Sequence, residues 1–586
     1  MKDLEPSKKL AYQRHSLAHL LAAAVLQLYP DAKPTIGPAI DTGFYYDFQF
    51  STPISDKDLV AIEKKMRQIL PTWEKSTNKE VSEAEAKKLY ADNPFKLELI
   101  HEIATAGEHI TLYTFGEFTD LCRGGHATNP AQDIAADAFK LDRVAGAYWR
   151  GDATKPMLTR IYGLAFANKQ ALDAYIHERS EAEKRDHKKL GKELGLFVFS
   201  PLVGPGLPLW TPKGTLIREL LNDYVWELRK ARGYSKVTIP HITKKDLYET
   251  SGHWKKFSEE LFKITTREKK LYALKPMNCP HHTQIFAAAP RSYRDMPQRY
   301  CETTMVYRDE QSGELSGLSR VLSITQDDAH VFCRKNQIEQ EVFAIWDIID
   351  TFYSTLGFKN LRIRLSRHDP EHFEKYLGTP DIWHDAEQQL SALIKKRGRS
   401  DFIDGVGEAA MYGPKIDFIA TDSLGRTLQV ATIQLDFNMP KNFNLTYVNE
   451  EGKKDDVVMI HCAIMGSIER FMATVLEHTA GAFPLWLSPV QARVIPISEA
   501  HHTVATKATA KLVAAGIRAE LDASDESLGK KIRTTKLEKI PYWLVIGDKE
   551  CATATATLES RDRGQIGSVP LEKIVGQLSD EIKNKI

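Results

Sequence analysis

Three residues of metal-binding type stand in separate short motifs of this 586-residue chain. Cys279 lies in Met-Asn-Cys-Pro, His330 closes Gln-Asp-Asp-Ala-His, and His461 follows the apolar run Val-Met-Ile. One thiolate and two imidazoles leave a fourth position open, as catalytic zinc ions require, whereas structural zinc sites are usually closed by four ligands. The residues are 51 and 131 positions apart, so the sequence by itself also allows a buried cysteine and two hydrogen-bonded histidines.

A second group of such residues begins near the N-terminus. His15 and His19 are spaced i, i+4, so both project from one face of a helix. Far downstream, Asp120, Cys122 and His126 stand in Asp-Leu-Cys-Arg-Gly-Gly-His. His-x-x-x-His with Cys-x-x-x-His is compatible with a four-ligand zinc site. It is equally compatible with histidines packed in a core, and the residues alone leave both alternatives open.

Phosphate binding would depend on arginines, because the sequence contains neither a Walker A pattern nor G-x-G-x-x-G. Arg308 and Glu310 stand in Tyr-Arg-Asp-Glu, Arg320 follows a polar loop, and Arg470 closes Gly-Ser-Ile-Glu-Arg. The planar guanidinium group fits phosphate bidentately, and a carboxylate such as that of Glu310 can accept from an adenine amino group. Each arginine taken singly could equally be a surface or salt-bridge residue.

Helices and strands must bring these distant residues together. Residues 11–29 predict an apolar helix that ends before Pro30, and the densely charged segment 172–194 predicts a helix that is either a solvated linker or a nucleic-acid contact. Between them the chain has mixed α+β character. The following region, to about residue 488, mixes long helices with β-rich runs. These strand-like runs are 236–239, 415–420 and 427–437.

The C-terminal region alternates strand-like and helical runs at short intervals. This alternation predicts a compact α/β domain with a largely parallel sheet. The strand-like runs are 492–496, 518–521 and 542–546, and the helical runs are 500–515 and 527–539.

Composition sets the broad class of the protein. Hydrophobic residues make up 42% and charged residues 27% of the chain, which is typical of a soluble globular protein of three or four domains. The net charge of +1 gives no global signal for nucleic acid, so a nucleic-acid-binding surface would be a local basic patch. Six scattered cysteines lack disulfide-framework spacing, and no apolar run is long enough to span a membrane. We therefore expect a soluble, cytoplasmic protein.

The arginine motifs resemble motifs 2 and 3 of class II aminoacyl-tRNA synthetases. The helical run 216–232 followed by 233–240, which ends in proline, resembles their motif 1. This resemblance implies an antiparallel-sheet catalytic core and a homodimer formed through motif 1. Arg308 would hold the α-phosphate and the carboxylate, and Glu310 would read adenine.

The same resemblance implies the remaining contacts to ATP. Arg470 would cover the nucleotide, with further contacts from Arg320 and Gln429. Arginines and magnesium would stabilise the charge that develops during phosphoryl chemistry.

The metal-type motifs are similar to those of threonyl-tRNA synthetases, and the similarity covers essentially the whole chain. It includes Ala-Tyr-Trp-Arg-Gly-Asp at 147–152, Tyr-Gly-Pro-Lys at 412–415 and Gln-Leu-Asp-Phe at 434–437. The resemblance implies one catalytic zinc ion. By this resemblance, the zinc ligands would be Cys279, His330 and His461.

In that family zinc explains why threonine is chosen over valine. Threonine can chelate an open metal with its amino nitrogen and β-hydroxyl, and valine cannot, whereas a pocket that relies on shape gains only about 1–3 kcal/mol from one methyl group. The resemblance implies that Asp328 receives the hydroxyl and that Gln326 and Tyr412 fix the amino acid.

Serine has the same hydroxyl, so errors with serine are expected and proofreading is the usual remedy. The N-terminal region resembles the family's editing domain, which hydrolyses seryl-tRNA without a metal. There a histidine with a pKa near neutrality suits general-base work. By this resemblance His15 and Lys96 would orient or activate water. The side chains implied to shape the pocket are His19, Asp120, Cys122 and His126, with Tyr46 as a further candidate.

The resemblance implies a domain order along the chain. It predicts an α+β editing domain at 1–168, a helical linker at 169–194, a class II catalytic domain at 195–488 and an α/β anticodon-binding domain at 489–586. The small ubiquitin-like domain that often opens the family is expected to be absent. Unstacked anticodon bases can be read along their edges, and the candidates for these contacts are Glu550, Arg561 and Arg563.

The chain departs from the family pattern at several positions. Ile324 stands where phenylalanine usually stacks on adenine, and Leu322 replaces a common arginine, which predicts weaker ATP binding. Glu559 replaces an arginine of the anticodon-binding domain. Gly125 replaces a frequent proline, and Val-Ala at 430–431 replaces a usual Cys-Gly pair.

A rival hypothesis is a catalytically silent RNA-binding regulator built on a synthetase scaffold. The intact arginines and metal-type residues speak against it, because an inactive binder need not retain them.

Overall fold

The computed structural model describes residues 5–152, 154–423 and 425–586. The chain forms two compact units, Met1–Ser180 and Glu181–Ile586. The division falls inside the helix Lys169–Arg185, within the segment predicted as a helical linker. Over the described ranges, no helix has the length and apolar character that crossing a bilayer would require.

The first unit is an α+β structure built on the apolar N-terminal helix. Its helices are α1 (Pro6–Leu28), α2 (Leu59–Ile69), α3 (Glu83–Leu89), α4 (Pro94–Thr105) and α5 (Pro130–Asp133), and it also contains the residues of α6 (Lys169–Arg185) up to Ser180. Its strands are β1 (Lys33–Pro34), β2 (Ala39–Ile40), β3 (Gly43–Gln49), β4 (Ser76–Glu80), β5 (Thr111–Phe115), β6 (Phe118–Leu121), β7 (Phe139–Tyr148) and β8 (Met157–Ala165).

Helix α1 begins earlier than predicted, because Pro6 is already favourable in a first helical turn. The residues from Leu17 to Val25 are buried against the antiparallel sheet β1-β3-β8-β7. A separate sheet, β4-β5-β6, carries Asp120 at the end of β6. The unit therefore places the first helix and the Asp120 motif around one core.

The second unit contains the eight-stranded central sheet and the C-terminal domain. Its helices are α7 (His187–Glu193), α8 (Pro212–Lys230), α9 (Lys245–Thr250), α10 (His253–Lys256), α11 (Cys279–Ala287), α12 (Ile338–Thr355), α13 (Pro380–Lys396), α14 (Asn438–Asn442), α15 (Ile468–Thr479), α16 (His502–Ala514), α17 (Leu528–Leu537), α18 (Asp548–Thr553) and α19 (Leu571–Lys583).

The strands of the second unit follow in the same order. They are β9 (Phe197–Val198), β10 (Leu209–Trp210), β11 (Ser235–Lys236), β12 (Ile242–Lys244), β13 (Lys263–Thr265), β14 (Leu271–Leu274), β15 (Gln298–Tyr307), β16 (Ser323–Cys333), β17 (Arg362–Arg367), β18 (Ile403–Val406), β19 (Lys415–Thr421), β20 (Thr427–Asp436), β21 (Thr446–Val448), β22 (Lys454–Asp456), β23 (Val458–Ser467), β24 (Ala492–Pro496), β25 (Ala519–Leu521), β26 (Tyr542–Ile546), β27 (Thr555–Ser560) and β28 (Gly564–Pro570).

The central sheet has the strand order β11-β15-β16-β23-β20-β19-β17-β18. Its long strands β15, β16, β23, β20 and β19 pair antiparallel in this order, which confirms the predicted antiparallel catalytic core. Side chains alternate between the two faces of a strand. The rear face is apolar, with Val331, Ile433 and Ile460 packed in the same core as the buried face of α12.

The front face of this sheet carries polar side chains in a cross-strand row. His330 of β16 pairs with His461 of β23, His461 pairs with Gln434 of β20, and Gln434 pairs with Lys415 of β19. A bulge follows Asp327, where the register between β16 and β23 shifts. The register thus brings together residues that are far apart in sequence.

The C-terminal domain has the strand order β25-β24-β26-β27-β28 and its own hydrophobic core. The strands β25, β24 and β26 are parallel, as predicted, but β27 and β28 pair antiparallel. The prediction of a largely parallel sheet therefore overstated its parallel part. Only residues 561–563 connect β27 to β28, and such a short connection allows a hairpin but not a crossover.

Candidate functional site

The three candidate metal ligands of the second unit lie close together on the front face of the central sheet. The ligand atoms of Cys279, His330 and His461 lie within 4.8 Å of one another, and all three residues are buried. The Nε2 atom of His330 is 3.1 Å from the Nδ1 atom of His461. Cys279 is supplied by the first turn of α11.

The remaining imidazole nitrogens already have other neighbours. Nδ1 of His330 lies 2.8 Å from Nδ1 of His282, and Nε2 of His461 lies 3.0 Å from Oδ2 of Asp436. The free nitrogens therefore converge with the Cys279 sulfur. Histidine ligands of metals commonly contact a carboxylate through the other nitrogen, and a sulfur with two imidazoles suits zinc. The donor set fits zinc.

Burial determines the protonation of these groups without a cation. It raises the pKa of the Cys279 thiol well above its usual range, an effect reinforced by Asp328 and Asp436. Burial also lowers the pKa of His330 well below its usual range. A neutral imidazole is the form that binds metal, and a nearby cation would favour the thiolate.

The candidates for amino-acid binding border this group. Oδ2 of Asp328 accepts from Nδ2 of Asn278 at 3.0 Å, and its other carboxylate oxygen lies 3.6 Å from Nε2 of His330. Burial raises the pKa of Asp328 to about 6. The Tyr412 ring lies 4.9 Å from the His461 ring. Gln326 is two residues before Asp328 on β16, which places it on the same face.

The candidate ATP arginines also come together. Burial lowers the pKa of Arg470, and the neighbouring positive charges of Arg308 and Arg320 add to this effect. Nε of Arg470 donates to the carbonyl oxygen of Ser319 at 3.1 Å, and Nε of Arg320 donates to Glu310 at 2.8 Å. Among the described residues, the buried Nε of Arg308 has no hydrogen-bond partner. Three neighbouring guanidinium groups, of which that of Arg320 is paired with Glu310, have the chemistry to bind an anion such as phosphate.

Gln429 lies on β20 in a hydrogen-bonded network around a fully buried carboxylate. Its Nε2 donates to Oδ1 of Asp417 at 2.8 Å, and its Oε1 accepts from Nη2 of Arg364 at 2.8 Å. Arg364 also donates to Asp417 at 3.0 Å. Gln429 is therefore held by protein groups on both sides. Further donors to the Asp417 carboxylate are Ser366, Lys415 and Thr432.

The second group of candidate residues meets in the first unit. The ligand atoms of His15, His19, Cys122 and His126 lie within 4.8 Å of one another. Sγ of Cys122 is 3.1 Å from Nε2 of His126 and 3.6 Å from Nε2 of His15. Helix α1 supplies two of these histidines at the predicted i, i+4 spacing, and the segment after β6 supplies the other two residues.

A buried carboxylate organises the charges of this group. Asp120 lies 2.5 Å from Nζ of Lys96, 3.1 Å from Nδ1 of His19 and 2.5 Å from the Tyr46 hydroxyl. Burial opposes a charge on His19, but its contacts with Asp120 and Cys122 outweigh burial and raise its pKa to about 9. Asp120 remains ionised because Lys96 and His19 overcome its burial and lower its pKa.

The pKa of the Cys122 thiol is also shifted from its usual value. Burial would raise its pKa, but hydrogen bonds from His126, His15 and His19 lower it to about 3. Burial lowers the pKa of His126 to about 4. Gly125, at the position of a frequent family proline, has a φ of +85°, which proline cannot adopt because its ring fixes φ near −65°.

The candidate anticodon residues all have protein partners. The Glu550 carboxylate accepts from the backbone N–H of Gly547 at 3.1 Å and from Thr557 at 2.8 Å. Nη1 of Arg561 donates to the carbonyl oxygens of Phe483 and Lys539. The remaining candidate, Arg563, pairs with Glu581 at 2.9 Å. Their role in binding RNA remains a prediction.

Comparisons with known proteins agree along the chain. The model of the tRNA synthetase class II core domain (G, H, P, S and T) matches residues 262–479, and the anticodon binding domain model matches residues 491–581. A threonine–tRNA ligase from Porphyromonas gingivalis is 45% identical over 98% of this chain and 88% of its own length. The chain belongs to the threonine–tRNA ligase family. It is thus an aminoacyl-tRNA synthetase with a class II core.

Other members of the threonine–tRNA ligase family give the same result. The ligase from Rubrobacter xylanophilus is 47% identical over 94% of this chain and 85% of its own length. The solved RNA binding domain of threonyl-tRNA synthetase from Cryptosporidium parvum is 39% identical, with a TM-score of 0.64. It covers 67% of this chain and 98% of its own.

The sequence analysis did not identify the residues that contact and orient the candidate ligands and Gln429. His282 and Asp436 contact the two metal-type histidines, and Asp417 organises the network around Gln429. A signal for His282 was available, because it lies three residues after Cys279 and so shares its helix face. The charged Asp417 in the buried run 416–420 of β19, whose other residues are apolar, was a second signal.

Replacing Asp120 with alanine is expected to destabilise the first unit by about 3–5 kcal/mol, because it leaves Lys96 and His19 buried without their counter-charge. Native-state hydrogen exchange of helix α1 measures this loss. The matched control is Glu80→Ala, which removes an exposed partner of His109 and should change exchange little. Equal effects of both substitutions would contradict the assignment of Asp120 as the centre of this charge cluster.

Proposed function

We propose that this enzyme activates threonine with ATP and transfers it to tRNA. A threonine carboxylate oxygen attacks the α-phosphorus, the bond to the pyrophosphate oxygen breaks, and threonyl-adenylate and pyrophosphate form. A ribose hydroxyl at the end of the tRNA then attacks the threonyl carbonyl, and AMP leaves. The observation that carries this proposal is the convergence of Cys279, His330 and His461 beside Asp328 in a class II core of this family.

The amino-acid pocket is proposed to depend on a resident zinc ion held by Cys279, His330 and His461. When bound, zinc supplies Lewis-acid chelation of the threonine amino nitrogen and β-hydroxyl. Asp328 accepts a hydrogen bond from that hydroxyl. Valine would offer no hydroxyl to this buried carboxylate, and sites that bind a substrate hydroxyl reject such analogues by about 10⁴–10⁵-fold. Two further side chains orient the amino acid, Gln326 and Tyr412.

The arginine cluster is proposed to bind ATP, which enters with magnesium. Arg308 pairs with the α-phosphate and the attacking carboxylate, and Arg470 covers the nucleotide. Glu310 accepts from the adenine amino group. The attacking carboxylate is already a nucleophile, so the first step needs no general base. Further contacts to ATP are proposed for Arg320 and Gln429.

We further propose that residues 1–168 edit serine errors. His15 and Lys96 orient or activate the water that hydrolyses the ester of seryl-tRNA, while the charged groups around Asp120 shape the pocket. This function is proposed to work without a metal. The pocket residues are His19, Asp120, Cys122 and His126, with Tyr46 behind them.

The proposed arrangement continues with a linker at 169–194, a catalytic domain at 195–488 and an anticodon-binding domain at 489–586. A homodimer would form through α8 and the segment 233–240. Support for this surface is the resemblance of the run 216–240 to motif 1, which forms the dimer interface in class II synthetases.

Amino-acid-dependent exchange of pyrophosphate into ATP tests the activation step. We expect strong exchange with threonine, weaker exchange with serine, and exchange with valine reduced by about 10⁴-fold or more. If no amino acid supports exchange, the silent-regulator hypothesis replaces this proposal.

Cys279→Ala is expected to abolish threonine-dependent exchange and to release zinc, because one ligand is removed from a three-residue set. Metal analysis and exchange are measured on the same preparation. Cys551→Ala, at a half-buried cysteine of the C-terminal domain, is the control and should retain both. Persistent activity of a zinc-free Cys279 variant would refute the metal assignment.

His15→Ala is expected to leave threonine charging intact but to let seryl-tRNA accumulate, since the water-activating group is lost. Clearance of preformed seryl-tRNA is the measurement. The control is His109→Ala, at an exposed histidine of the same unit. Unchanged clearance by the His15 variant would contradict the editing proposal.

A further inference from the structure

His187, the first residue of α7, is a buried histidine outside the groups described above. Its Nε2 lies 3.1 Å from the backbone N–H of Leu318, and its Nδ1 lies 2.7 Å from Oε1 of Glu477. A backbone N–H can only donate, so Nε2 must be the acceptor. In the neutral ring Nδ1 then carries the proton and donates to Glu477. Both nitrogens therefore have defined and different roles.

The segment that His187 contacts is the loop between β15 and β16, residues 308–322. This loop carries the candidate ATP residues Arg308 and Arg320. At Gly317, where φ is +51°, a Cβ atom would lie 2.3 Å from Nε2 of His187. The loop backbone and the imidazole ring are thus packed as closely as glycine allows.

On its other side His187 is fixed to helix α15. Glu477 accepts from the backbone N–H of His187 at 3.2 Å and pairs with Arg426 at 2.5 Å. The same helix carries Arg470, whose Nε donates to the carbonyl oxygen of Ser319, the residue after Leu318. The loop is therefore tied to α15 twice at neighbouring positions, once through Arg470 and once through the linker histidine.

We propose that His187 is a positioning residue for the ATP site: it holds the loop 308–322 against helix α15, so that Arg308, Arg320 and Arg470 converge on the nucleotide phosphates. This inference rests on the proposed ATP-binding role of those arginines. The side chain of His187 bonds to the loop backbone and to Glu477. Its loss should therefore act through the loop and mainly on the binding of ATP.

His187→Ala is expected to raise the KM for ATP in threonine-dependent pyrophosphate exchange by about 10-fold, the equivalent of one or two lost hydrogen bonds. The KM for threonine should change less than the KM for ATP, because the His187 contact at Leu318 adjoins Ser319, which accepts from Arg470, whereas Arg308 lies at the beginning of the loop. Lys189→Ala, at an exposed position of the same helix, is the control and should change neither. His187→Gln, which retains one acceptor for the Leu318 N–H, should give an intermediate KM and serves if the alanine variant does not fold.

A double-mutant cycle with Gly317→Ala makes the test specific. The added methyl group collides with the imidazole, so Gly317→Ala alone should weaken ATP binding. Adding His187→Ala removes that collision, and the double variant should be less impaired than the two single effects combined. Additive effects, an unchanged KM for ATP, or equal changes for both substrates would overturn the positioning role. If the wild-type enzyme shows no threonine-dependent pyrophosphate exchange, the proposed activation reaction itself is wrong.

Discussion

The cross-strand register of the central sheet is the constraint on which the candidate active site depends. His330 and His461 are neighbours only because β16 and β23 pair at those positions, although 131 residues separate them. A register slip of one residue would turn every polar side chain of a strand toward the core face. The apolar rear face, packed in one core with α12, makes such a slip costly and so fixes the register. Stability and chemistry thus depend on the same alternation of residues.

The polar side chains on the front face are buried, and this imposes a second constraint. Buried polar groups must find partners, since an unpaired group costs about 1–3 kcal/mol. Asp436 and His282 meet this requirement by contacting the outer nitrogens of His461 and His330, which leaves the inner nitrogens directed at Cys279. The same logic holds in the first unit, where Asp120 balances Lys96 and His19 in the core. Both clusters are therefore defined by their supporting residues as much as by the groups proposed to do chemistry.

The sequence allowed the residue types, the class II motifs and the antiparallel core to be predicted, because each depends on short-range patterns or on resemblance. Helix α1 and the strand β26 follow from local apolar runs. The contact of His187 with Leu318 could not be predicted, because it joins elements 131 residues apart and no local pattern marks it. The hairpin of β27 and β28 was not predicted for a different reason: alternating strands and helices favour a parallel sheet, whereas the short turn 561–563 excludes a crossover.

Zinc K-edge X-ray absorption of the zinc-loaded enzyme, with and without threonine, tests whether the sheet register builds an open three-ligand site for the amino acid. The expected spectrum contains one sulfur at about 2.3 Å and two imidazole nitrogens at about 2.0–2.1 Å, with light-atom ligands added by threonine but not by valine. A site closed by four protein ligands, or a spectrum that does not respond to threonine, would contradict the account.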